Sequence, residues 1–89
     1  MKMGNMEIDK KNREAKIVLD TRYYGYGAVL QAAKDFSDSC WVLVDGDKDD
    51  KLLVTLKPKT KDIKLETLGY EFMNYALSLI QDAIAALQS

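Results

Sequence analysis

The chain predicts an α+β domain of order β-α-β-β-α, a three-stranded sheet with two helices packed on one face. Three observations carry that reading. Apolar, β-branched runs stand at 16–20, 40–44 and 51–57. Val29, Ala32, Ala33 and Phe36 recur at i, i+3, i+4 and i+7, which is one face of a helix. A broader stripe of the same period runs from Leu68 to Leu87.

Taken in order, residues 1–14 are polar, charged and aperiodic. They are expected to be disordered, apart from a short strand around Met6 to Ile8, which leaves 15–89 as a single α+β domain. Lys16-Ile17-Val18-Leu19-Asp20 is the first strand. Tyr23-Tyr24-Gly25-Tyr26-Gly27 is a connection in which glycine permits positive φ. A helix follows over about 26–37. The strands at 40–44 and 51–57 flank the acidic segment Asp45-Gly46-Asp47-Lys48-Asp49-Asp50 and form a hairpin. Pro58 lacks an amide donor and closes the third strand. The first strand is expected beside the third, because that pairing keeps the sheet antiparallel.

The last helix is expected over 65–87, with Glu66 near its positive end. At about 1.5 Å per residue it is roughly 35 Å long, whereas a seven-residue strand covers about 23 Å. The helix therefore overhangs the sheet. Its apolar stripe is wider than one sheet face requires, so Leu77, Ile80, Ile84 and Leu87 are expected to meet a second copy or a partner.

Composition narrows the function classes. Thirteen basic and fourteen acidic residues give a net charge of -1, which argues against bulk electrostatic binding to nucleic acid or an anionic membrane. A lone Cys40 excludes an intrachain disulfide and fits a reducing cytoplasmic setting. No apolar run approaches the roughly 20 residues that span a bilayer.

With no histidine in the chain, Cys40 has no histidine base to activate it, and its neighbour Trp41 points to burial. The acidic segment alternates Asp45, Asp47 and Asp49 as a calcium loop does. However, Asp50 stands where that loop needs glycine and Leu56 where it needs glutamate, so a solvated turn is the expectation. Lys57, Lys59, Lys61 and Lys64 surround Pro58, diluted by Asp62 and Glu66 into a solvated linker. No catalytic residue, metal site or cofactor is expected, and no carboxylate pair stands at a spacing that defines an acid–base site. Tyr23, Tyr24 and Tyr26 are the candidate contact residues, since tyrosine joins a large apolar body to a polar tip. An open sheet edge is a second candidate, as a place where an extended peptide adds a strand.

In order along the chain, IVLD, a tyrosine-containing turn, AVLQAAKDFSD, an apolar strand with its acidic loop, LLVTLKPK and LGYEFMNYAL resemble the small HxsD family of His-Xaa-Ser systems. The resemblance covers about residues 16–80. Within LGYEFMNYAL, Glu71-Phe72 and Asn74 are similar to the family's Glu-Phe-x-Asn pattern, which implies that Glu71 and Asn74 contribute to partner binding. The family implies an accessory role beside a radical-SAM enzyme that modifies a precursor peptide carrying His-Xaa-Ser repeats. One cysteine cannot hold an iron–sulfur cluster, so the chain is not itself expected to be that enzyme. The expected function is that of a non-enzymatic accessory protein, cytoplasmic and homodimeric, binding the precursor peptide or the modifying enzyme. A small-molecule or regulatory domain, with a cleft between helices and sheet, is the alternative. A carboxylate-only enzyme is a more distant third.

Overall fold

A computed structural model describes the backbone of residues 4–88 and the side chains of residues 5–81. The strands are β1 (Gly4–Asp9), β2 (Glu14–Asp20), β3 (Cys40–Gly46) and β4 (Lys51–Pro58). The helices are α1 (Thr21–Tyr24), α2 (Tyr26–Phe36) and α3 (Leu65–Gln88). The sheet has four antiparallel strands in the order β1-β2-β4-β3. The α+β class, the β3–β4 hairpin and the pairing of β2 with β4 agree with the sequence reading.

The expectation of three strands is corrected to four: the short strand expected around Met6 to Ile8 is present, extends over Gly4–Asp9 and joins the sheet as β1. Only Met6 and Ile8 of β1 reach the core, which left its apolar signal short. Three contacts hold it. The strand pairs along its whole length with β2, from Gly4 opposite Leu19 to Asp9 opposite Glu14. Asp9 accepts from the Asn12 backbone N–H at 3.1 Å and from Asn12 Nδ2 at 2.9 Å, which closes the turn. Arg13 takes a positive φ of 55°. Its guanidinium donates to the Thr60, Lys61 and Ile63 carbonyls at 3.3, 3.4 and 3.3 Å, tying the hairpin to the segment before α3.

The strands alternate as their sequences dictate. Ala15, Ile17 and Leu19 of β2 and Leu52, Val54 and Leu56 of β4 are buried beneath the helices. Val29 and Ala32 of α2 and Leu68, Phe72 and Ala76 of α3 complete the core. Phe36 meets Phe72 edge-on, with ring centroids 5.1 Å apart, where the two helices touch. The other face of the sheet carries no helix among the described residues.

The tyrosine connection is more structured than expected. Asp20 caps the short α1 by accepting from the Arg22 backbone N–H, and Gly25 turns the chain into α2 at φ 70°.

Candidate partner-docking surface

The uncovered sheet face is where the molecule departs from an ordinary surface. Trp41 and Leu43 of β3 are each 64% exposed, and Leu53 of β4 is 39% exposed. The register puts Leu43 opposite Thr55, and Leu53 opposite both Asp45 and Val18. These side chains therefore form one apolar strip across β3, β4 and β2. Hollows flank it. One of about 190 Å³ lies between Trp41, Leu43, Thr55 and Lys57. Another of about 510 Å³ is lined by Met6, Lys16, Val18 and Leu53.

Charges of both signs border the strip: Glu14 and Glu7 line the two hollows and Asp45 stands opposite Leu53, beside lysines. Lys57 stands opposite Trp41. The Lys59 ammonium lies 4.5 Å from the centroid of the Trp41 ring and donates to the Ser37 carbonyl at 2.8 Å. The two contacts hold Trp41 and the cation together. A large aromatic side chain fixed in water beside a positive charge suits recognition of an apolar group next to an acidic one.

The three tyrosines differ in exposure. Tyr24 is 4% exposed and belongs to the core, where burial raises its phenol pKa. Tyr23 is half-buried against the core, with the Arg22 guanidinium 5.9 Å from its ring centroid. Tyr26 is 41% exposed at the start of α2. Glu71 and Asn74 are exposed on α3, on a different element from the apolar strip. Leu77 and Ile80 pack in part against the core. Ile84 and Leu87 lie outside the residues whose side chains are described.

Cys40 is fully buried, and its Sγ donates to the Phe36 carbonyl at 3.2 Å. Burial pushes its thiol pKa up, opposite to what a nucleophile needs. In the acidic turn, Asp45 accepts from the Gly46 N–H at 2.7 Å and Asp47 from the Asp49 N–H at 2.9 Å. These are local turn bonds. Among the described residues no three acidic or cysteine side chains converge as metal ligands.

Core side chains pack between the helices and the sheet. A polar hollow of about 490 Å³ lies elsewhere, at the β1–β2 turn and the start of α3, lined by Lys10, Arg13, Lys61, Asp62 and Lys64 among others. Among the described residues no helix is long and apolar enough to cross a membrane.

The strip escaped sequence reasoning because β3 is apolar at five consecutive positions, Cys40 to Val44, and β4 at three, Leu52 to Val54. Such a run reads as a strand buried on both faces. Only the count of helices, both spent on one face, signals that the other stays open. Comparison of the chain with known protein families, with curated proteins and with solved structures gives no match.

Proposed function

We propose that this chain is a non-enzymatic accessory protein that docks an extended polypeptide on its uncovered sheet face. The observation that carries the reading is the apolar strip of Trp41, Leu43 and Leu53, bordered by Lys57 and Lys59. Its chemistry favours a segment with apolar side chains flanked by acidic ones. The resemblance of residues 16–80 to HxsD proteins supplies the partner class. The occupant is the precursor peptide of a radical-SAM modification system, and the modifying enzyme is the other occupant that the test distinguishes.

Trp41 is the sole tryptophan and lies inside the strip, so its fluorescence reports on docking directly. Titration with a precursor peptide carrying His-Xaa-Ser repeats is expected to give a saturable change in emission. Leu53→Lys is expected to weaken binding about tenfold or more, equivalent to about 1.4 kcal/mol. Tyr26→Ala is expected to leave it unchanged. Binding of the radical-SAM enzyme but not the peptide would move the occupant to the enzyme. Peptide binding lost in Tyr26→Ala and kept in Leu53→Lys would contradict the assignment of the face.

A further inference from the structure

The outer edge of β3 carries a second, independent pattern. β3 is an edge strand, and no strand pairs with its outer side among the described residues. The ladder to β4 determines which backbone groups face outwards. Lys59 N–H donates to the Ser39 carbonyl and Asp47 N–H to the Lys51 carbonyl, each at 3.0 Å. Both bonds continue the register that pairs Trp41 with Lys57, Leu43 with Thr55 and Asp45 with Leu53. In an antiparallel ladder every second residue exchanges bonds with its partner. The odd-numbered residues of β3 therefore bond to β4, and the N–H and C=O groups of Val42 and Val44 point away from the sheet.

This edge lacks the usual protection. Charged side chains, prolines and bulges guard natural sheet edges. β1, at the other edge, carries Glu7 and Asp9 and is followed by two lysines. The seven residues of β3, CWVLVDG, contain one charge, Asp45, near the end.

We propose that β3 pairs antiparallel with β3 of a second copy of this chain, across a twofold axis at Leu43, joining the two sheets into one continuous sheet. Overlapping the strands fully sets Val42 opposite the partner's Val44 and Leu43 opposite the partner's Leu43. The outward-facing groups of Val42 and Val44 then meet in hydrogen-bonded pairs, as the ladder parity requires. On the helix side, two half-buried valines from each copy complete one another's burial. On the open side, Trp41 falls opposite the partner's Asp45. Lys59, already held over Trp41, meets that carboxylate, and symmetry repeats the pair. Among the described residues no carboxylate bridges Lys59. Register, side-chain size and charge thus all match a copy of the same strand, the self-complementarity that a twofold interface demands. The pairing leaves the uncovered face accessible and doubles the strip, so it stands whether or not a peptide binds there.

The test is the oligomeric state of the full chain and of three single variants. Sedimentation equilibrium is expected to show a dimer for the wild type. Leu43→Lys places two like charges on the axis and is expected to raise the dimer Kd at least about tenfold, with the circular dichroism spectrum unchanged because the side chain is exposed. Opposed residues of a non-hydrogen-bonded antiparallel pair have Cα atoms about 4.5 Å apart, within disulfide range. Leu43→Cys is therefore expected to run as a covalent dimer after mild oxidation. Leu53→Cys, on the same face but one strand inwards, is expected to form no covalent dimer under the same oxidation. A wild type that stays monomeric into the millimolar range overturns the proposal. So does a dimer that cross-links through Leu53→Cys rather than Leu43→Cys, which would signal sheets stacked face to face. A dimer insensitive to Leu43→Lys, with neither cysteine cross-linking, would place the interface on another element and equally overturn it.

Discussion

Phe72 lies fully buried where α3 crosses the sheet, and its ring stands edge-on to Phe36. Truncation to alanine leaves a cavity that neighbours on two helices and the sheet cannot collapse to fill. Phe72→Ala is expected to cost about 3–5 kcal/mol in urea-induced unfolding. Trp41→Ala removes a larger ring, yet one in contact with solvent, and is expected to shift stability by no more than about 0.5 kcal/mol. The contrast separates an aromatic residue that builds the fold from one exposed on the uncovered face. A third residue sets an acid limit. The Arg22 side chain, and then its backbone N–H, hold the Asp20 carboxyl down to about 2, from an ordinary 3.8. A depressed folded-state pKa stabilises above the unfolded value and loses that contribution as pH falls through the folded one. Stability is therefore expected to decline between about pH 4 and pH 2 in urea unfolding across pH. Asp20→Asn is expected to be less stable at neutral pH and to flatten that part of the profile.

Among the elements, β1 tests how a strand with little apolar content is held. A Cβ placed on Gly69 of α3 would lie 2.1 Å from the Met6 sulfur, so the missing side chain is what lets Met6 lie against the helix. Gly69→Leu is expected to displace Met6 and speed hydrogen exchange in the β1 amides, while those of β2 and β4 keep their protection. This contact also explains what the sequence concealed. The periodic elements were legible: α2 from Val29, Ala32, Ala33 and Phe36, α3 from its long stripe, and β2, β3 and β4 from their apolar runs. β1 was legible only as a short strand around Met6 to Ile8, because its full length depends on a glycine some sixty residues away in the chain and on three carbonyls that accept from Arg13. The rings of the tyrosine turn part for a related reason. Adjacent rings in sequence diverge once Thr21–Tyr24 winds into α1, which sends Tyr24 inwards and leaves Tyr26 exposed.

At the scale of the whole molecule, both long helices cover one side of the sheet, and among the described residues none covers the other. The exposed strip, the paired Lys59 and Trp41, and the unguarded edge of β3 all lie on or beside the uncovered side. Of the six large apolar residues exposed among the described residues, Trp41, Leu43 and Leu53 share this surface, while Tyr26, Leu30 and Tyr70 stand on the helices. The most direct test of that surface is amide chemical-shift mapping on the isotope-labelled chain as the precursor peptide with His-Xaa-Ser repeats is added. Shifts concentrated on Trp41, Leu43, Leu53 and Thr55, with the Tyr23–Tyr26 segment and α3 unmoved, are the predicted result. Shifts confined to that tyrosine segment or to α3 around Glu71 and Asn74, or no saturable shift anywhere, would contradict the account.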